Sequence, residues 1–284
     1  MPTPTRRVRR ARQATVVRRE QLTPAMVRVV LTGADLADLG ELPFTDHYVK
    51  LLFPPPGADY RWPFDPEEIR SSRPAEQWPV TRTYTVRWYD PEQAEIALDF
   101  VVHGDEGLAG PWARDAQVGD PIAFFGPGGA YAPGTDAEVH LFVGDEAALP
   151  AIAASLERLP DAAAAEVFVE VAGPDEEQPL RTSAGTRIHW VHRRPDDGYG
   201  VALARAVRAA GVPAGRVEAF VHGNAGLVAD LRRFLFVEQG IDRQRVSISG
   251  YWRTGHTEDR WQATKGELNQ SMEEAERQLA AQRA

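Results

Sequence analysis

Apolar and polar residues change their rhythm once along this chain. Up to about residue 130 the apolar positions come in short alternating runs cut by turn residues. These runs predict strands over 14–19, 26–32, 47–53, 82–88, 94–102 and 120–125. Leu22-Thr23-Pro24 turns the first hairpin, and Pro54-Pro55-Pro56-Gly57 stops the third strand. Residues 57–80 carry Pro, Arg, Glu and scattered aromatics without a period, which predicts a long excursion of the kind that is functional or mobile. Many short strands with one brief helix, closed by Gly126-Pro127-Gly128-Gly129, predict a closed antiparallel β-barrel.

The second rhythm begins near residue 136. Apolar strands at 138–143, 167–172, 186–191, 217–221 and 245–250 alternate with helical patterns at 147–157, 200–210 and 225–239. A βαβ rhythm predicts a parallel sheet with helices on its faces. Leu268, Met272, Ala275 and Leu279 then fall at helical spacing, so an amphipathic C-terminal helix is expected over 266–283. The fold class is therefore an all-β barrel followed by an α/β domain. The expected division is an Arg-rich arm (1–13), a barrel domain (14–134), a nucleotide-type α/β domain (135–261) and a terminal helix (262–284).

Composition narrows the chemistry. With 284 residues and 43% hydrophobic content, the chain can bury two ordinary cores. Cysteine is absent, which excludes disulfides, thiol catalysis and Cys-ligated metal or iron–sulfur sites. The seven histidines show no H-E-x-x-H spacing, so no protein-ligated metal is expected. A net charge of −9 argues against nucleic acid as a partner. The arginines from Arg6 to Arg19 are unaccompanied by any acid, and fit either a frayed solvated arm or a contact to an anionic surface. No apolar run is long enough for a membrane span, and no signal-peptide core follows the first arginines, so a cytoplasmic location is expected.

The densest chemistry lies at Arg82-Thr83-Tyr84-Thr85-Val86-Arg87, Asp99-Phe100-Val101-Val102-His103-Gly104 and Gly107-Leu108-Ala109-Gly110-Pro111-Trp112-Ala113. Taken singly, Arg82, Tyr84 and Thr85 are an ordinary surface arginine, a half-buried tyrosine and a strand threonine. Taken together they offer a cation for a pyrophosphate, a ring to stack and a hydroxyl beside a flat heterocycle. Gly107, Ala109 and Gly110 let phosphates approach the backbone, and Gly110, Trp112 and Ala113 would present N–H groups at a helix start. That combination describes a flavin dinucleotide site; a simple tight turn is the alternative for the glycine-rich stretch.

In the second half, Gly144-Asp145-Glu146 sits where a parallel strand passes into a helix, the place where nucleotides bind in such sheets. The G-x-G-x-x-G fingerprint is missing, and Glu146 is equally a helix N-terminal acid. Arg193 and Arg194 follow another strand and suit either a 2′-phosphate or solvent. Arg232 and Arg233 fall on a helix and are expected to be exposed.

Five segments in order carry a resemblance: Leu22-Thr23-Pro24, His47–Pro54, Arg82–Arg87, Gly144–Ile152 and Gly250-Tyr251-Trp252-Arg253-x-Gly255. They resemble the siderophore-interacting protein family of the ferredoxin reductase-like superfamily, over about residues 14–261. The chain departs from the family where Gly223-Asn224-Ala225 replaces a frequent Gly-Glu-Ala, and where Ala147 replaces a frequent threonine. The resemblance implies FAD as cofactor, with NADPH or NADH as electron donor and a ferric siderophore as substrate. It implies that Thr83, Val102 and His103 join the cofactor contacts, with Tyr251, Trp252 and Arg253 on the nicotinamide side. Gly144, Asp145, Glu146, Pro150, Arg193, Gly223 and Asn224 would serve the donor nucleotide. Lys50 and Lys265, the sole lysines, would meet an anionic chelate, or are plain surface lysines. No catalytic side chain is assigned, because the flavin performs the chemistry. Two alternatives are a flavin electron-transfer module for a partner oxygenase or ferredoxin, and a siderophore-binding protein without activity.

Overall fold

The structure, a computed structural model, describes residues 10–194 and 196–283. Arg6, Arg7 and Arg9 of the Arg-rich arm lie outside the described residues. Two compact units divide the chain, one from segments up to 20, 27–42 and 47–128, the other from 21–26, 43–46 and the residues after 128.

The first unit is the expected closed antiparallel barrel. Its strands are β1 (Arg12–Thr23), β2 (Met26–Thr32), β3 (Tyr48–Phe53), β4 (Val80–Asp90), β5 (Glu95–Val101) and β6 (Pro121–Gly128). They run in the order β1-β2-β5-β4-β3-β6, and β6 closes on β1 with Arg12 opposite Phe124. Closure removes the unpaired edges that an open sheet would expose. Val16, Val29, Leu31, Leu51, Leu98, Phe100 and Phe124 fill the interior with no exposed surface. Each such side chain contributes about 1.5–3 kcal/mol of transfer free energy. Strand alternation puts Val49 and Leu51 inward and leaves Lys50, paired with Thr83 and Phe125, on the other face.

Short helices join these strands: α1 (Ala34–Ala37), α2 (Pro66–Ser72) and α3 (Ala109–Asp115). The 57–80 excursion is thus not without structure. Asp65 caps α2 by accepting the Glu67 amide at 2.8 Å, Pro66 opens it, and Glu67 and Glu68 occupy its first turn. Trp62 donates its indole N–H to Leu52 O at 3.0 Å and covers the apolar outer face formed by Leu52, Ala123 and Phe125.

The second unit is a five-stranded parallel sheet. Its strands are β7 (Val139–Asp145), β8 (Ala164–Val171), β9 (Gly185–His192), β10 (Val217–Asn224) and β11 (Val246–Trp252), ordered β11-β10-β7-β8-β9. Helices α4 (Leu149–Arg158), α5 (Val201–Ala210), α6 (Ala225–Arg232) and α7 (Glu258–Arg283) complete it. Phe142 packs with Ile152, Leu156 and Val167 on one face, while Leu141 and Val143 pack with Leu203, Leu227 and Leu231 on the other. Burial on both faces explains the apolar runs Leu141-Phe142-Val143 in β7 and Ala219-Phe220-Val221 in β10.

Two expectations are corrected here. The terminal helix starts at Glu258, ahead of Gly266, because Trp261 is an anchor only 1% exposed. Arg232 is buried, not exposed: its Nε donates to Glu276 of α7 at 2.6 Å, and Arg243 bonds the same carboxylate. Both guanidiniums lie over the Phe236 ring. Among the described residues no helix is long and apolar enough to cross a membrane.

Candidate functional site

In the barrel, the candidate residues gather around the ends of β4 and β5 and the start of α3. Arg82 and Tyr84 share one face of β4 by alternation. The Tyr84 ring lies 4.1 Å from Phe100 in a tilted stack, and Phe100 in turn meets Trp112 of α3 at 5.7 Å. One guanidinium nitrogen of Arg82 donates to Thr81 O at 2.7 Å. Thr83 is half-buried and Thr85 is 8% exposed, opposite Tyr48 on β3.

After β5, half-buried Val102 packs on the barrel core and His103 is exposed. The loop folds back through Arg114, which bonds Gly104 O at 3.3 Å and Asp105 at 2.5 Å. A methyl group on Gly110 would stand 3.3 Å from Val101 O, so glycine lets α3 begin this close to β5 without displacing that carbonyl. Ala109 and Ala113 are buried against the core. Among the described residues no side chain caps the N-terminus of α3. The first-turn amides are those of Ala109 and Gly110, since Pro111 has none. The Trp112 amide, expected from sequence to be one of them, is not, because it donates to Leu108 O at 3.2 Å, and Ala113 lies a full turn into the helix. Trp112 contributes its ring instead.

In the α/β unit, the ends of three strands, β7, β10 and β11, converge on one carboxylate. Asp145 closes β7 and is 2% exposed. Its Oδ2 accepts from the Trp252 indole N–H at 2.7 Å and the Asn224 amide at 2.8 Å, and its Oδ1 from the Ala147 amide at 3.0 Å. Gly223 has φ +131, and a Cβ there would strike the Asp145 carboxylate at 2.6 Å. Burial, helped by the charge of Glu146, pushes the Asp145 carboxyl up to about 7 against its three hydrogen bonds. Asn224 also caps α6 by accepting the Gly226 amide at 2.8 Å, and donates to Thr254 at 3.0 Å. Pro150 lies buried in the first turn of α4.

Beside this hub, Arg193 holds two carboxylates. Its Nη2 reaches both oxygens of Glu146, at 2.6 and 2.7 Å, and its Nε reaches Glu170 at 3.1 Å. Tyr199 stacks on the guanidinium at 4.3 Å and meets Trp252 edge-on at 4.8 Å. Arg194 and Arg253 are exposed.

Sequence reasoning missed Glu170, Tyr199 and Thr254. Glu170 stands at the end of the strand next to β7, the signal that could have found it. It also missed His222, buried with Nε2 at 2.9 Å from Ser247 and its pKa pushed down to about 3, by burial and then by Lys265. Tyr251 packs against that imidazole at 4.9 Å. Lys265 donates to Ser249 at 2.8 Å on β11 and lies over Trp261.

A barrel with this strand-and-helix-end cluster, followed by a parallel nucleotide-type sheet, defines the ferredoxin reductase class of flavoprotein folds. Ferredoxin–NADP+ reductase from Plasmodium falciparum shares the fold with a TM-score of 0.61 at 12% identity, over 84% of this chain and 95% of its own. More specifically, the chain belongs to the siderophore-interacting protein family. Residues 15–131 match the siderophore-interacting FAD-binding domain and residues 137–255 the siderophore-interacting protein domain. Siderophore-interacting protein SipS from Aeromonas hydrophila aligns over 93% of this chain and 99% of its own, with a TM-score of 0.78 and 30% identity. The NADPH-dependent ferric-chelate reductase of Escherichia coli is 32% identical over 246 residues, 86% of this chain and 93% of the relative.

Proposed function

We propose that this chain is an FAD-dependent ferric-siderophore reductase fed by a nicotinamide nucleotide. The observation that carries the reading is the cluster of Arg82, Tyr84 and the uncapped α3 start within a matched FAD-binding domain. The donor set fits the cofactor. Arg82 and the Ala109 and Gly110 amides suit a pyrophosphate. Tyr84, backed by Phe100, offers a ring for the isoalloxazine, with Thr83, Thr85, Val102 and His103 around it.

Bound there, FAD would supply hydride acceptance from the donor and single-electron transfer to Fe(III), whose hard oxygen ligands would hold Fe(II) less firmly. The residues of this chain bind, orient and exclude water. In the α/β unit, Gly144, Asp145, Glu146, Gly223 and Asn224 lie at the strand ends that suit the donor nucleotide. Trp252 is oriented by its bond to Asp145. Lys50 suits attraction of an anionic chelate, and Lys265 does so less directly because Ser249 already engages it.

The test is anaerobic. Protein loaded with FAD is reduced by a nicotinamide donor, and a ferric catecholate is then added. The flavin band should recover as Fe(II) appears with a colour-forming chelator. Reduced flavin that ignores ferric chelates but passes electrons to a ferredoxin would replace this reading with the electron-transfer alternative.

A further inference from the structure

The end of β8 lies beside the end of β7, with Glu170 in register with Asp145. In dinucleotide-binding sheets an acid near this position bonds the ribose 2′-hydroxyl of NAD, whereas an arginine accommodates the 2′-phosphate of NADP. This chain has both, Glu170 and Arg193, so their relation decides which donor is preferred.

Arg193 is already committed. Its Nη2 is held by both oxygens of Glu146 and its Nε by Glu170, and Tyr199 covers its face at 4.3 Å. A phosphate seeking the guanidinium fork would have to displace a carboxylate. Two carboxylates against one guanidinium leave the cluster net negative, and a phosphomonoester adds about −1.5 to −2 more. Glu170 has no exposed surface. Its Oε1 also accepts the Gly200 amide at 3.0 Å, while its Oε2 is buried without a hydrogen-bond partner among the described residues. With no exposed surface, Glu170 acts on a ligand through Arg193 and through its charge, which repels an anion. Arg194 is exposed and followed by Asp196 and Asp197, so it supplies no isolated cation.

We propose that Glu146 and Glu170, by holding Arg193 between them, make the α/β unit select a donor with a free 2′-hydroxyl, NADH, over NADPH. This rests on the nicotinamide-donor reading above. The two glutamates are specificity-determining residues.

The test is equilibrium binding by calorimetry to the FAD-loaded protein, with ADP-ribose and 2′-phospho-ADP-ribose as unreactive probes. Wild type should bind ADP-ribose about tenfold more tightly or better, a gap of about 1.4 kcal/mol. Glu146→Gln releases one anion from Arg193 and should narrow the gap by strengthening the 2′-phosphate probe. Glu170→Gln releases the second anion from Arg193 and should narrow it further; if its burial prevents folding, Glu146→Gln alone decides. Arg194→Ala should leave the ratio unchanged. Tighter or equal binding of the 2′-phosphate probe in wild type overturns the selectivity and leaves the nicotinamide reading intact. So does a ratio that Glu146→Gln does not move, or one that Arg194→Ala abolishes. If neither probe binds, while dithionite-reduced protein still reduces a ferric chelate, the nicotinamide reading falls and this inference with it.

Discussion

The barrel and the α/β unit assemble their candidate residues in opposite ways. In the barrel all the cofactor candidates lie between Arg82 and Ala113, on two neighbouring strands and the helix that follows them. In the α/β unit the residues come from the ends of β7, β8, β9, β10 and β11, and they are joined through side chains: Asp145 to Trp252, Trp252 to Tyr199, Tyr199 to Arg193, Arg193 to Glu146 and Glu170. The barrel brings Arg82, Tyr84 and the start of α3 together from one short stretch of chain. The α/β unit neutralises its own cation with two acids. A local site depends on single residues, whereas a site of converging strand ends depends on the buried group that ties them.

The sharpest way to break this comparison is to remove the tie. Asp145→Ala strands three donors, the Trp252 indole and the Asn224 and Ala147 amides, at about 1–3 kcal/mol for each one left buried and unsatisfied. The expected loss is roughly 3–5 kcal/mol of stability, read as a lower urea midpoint. Asp145→Asn keeps an acceptor and should lose less than half of that. A midpoint unchanged in Asp145→Ala would mean that the strand ends hold one another without the carboxylate.

In the barrel the matching substitution touches binding and spares the fold. Arg82→Ala removes one charge-assisted contact, about 1.5–3 kcal/mol, so FAD should bind roughly ten- to a hundredfold more weakly. Arg82 is half-buried on β4, in register with Leu51 and on the face of Tyr84, and it donates to Thr81 O. Flavin fluorescence titration of apoprotein, with far-ultraviolet dichroism as the fold check, measures it. Equal affinity in both proteins would remove Arg82 from the pyrophosphate.

The contrast also explains what was legible in the sequence. Both sheets were, because period-2 runs and a βαβ rhythm are local signals. The barrel cluster was visible as a linear motif for the same reason. Helix α2 carried its own signature, Asp65-Pro66-Glu67-Glu68, a cap, a first-turn proline and two acids, hidden by the proline-rich surroundings. The Glu146–Arg193–Glu170 net was not legible, since nothing along the chain pairs residues from three strand ends. Arg232 read as an exposed helix arginine because its partner, Glu276, lies far along the chain on α7. Trp112 was placed at a free helix end, but the helix begins at Ala109 and its amide is internal.

The smallest expected effect concerns proton uptake by Asp145. Burial raises its pKa to about 7 in the folded chain, above the ordinary carboxylate value of about 3.9 in the unfolded one. The folded state therefore binds the proton more tightly, and the stability this contributes is fully present below about pH 3.9 and lost as pH rises through 7. Between pH 6 and 8 the loss is about 1.4 kcal/mol. His222, held neutral with its pKa pushed down to about 3, works in the other direction as the unfolded imidazole titrates. It remains in Asp145→Asn, so subtracting the variant's unfolding free energy from that of wild type cancels it. That difference should shift against wild type from pH 6 to pH 8. The Trp252 indole, which donates to Asp145, gives a second readout: a fluorescence titration near pH 7 that vanishes in Trp252→Phe and in Asp145→Asn. A flat difference across this window would mean that the three donors around Asp145 outweigh its burial, leaving the carboxylate ionised at the strand ends and the α/β crevice more acidic still.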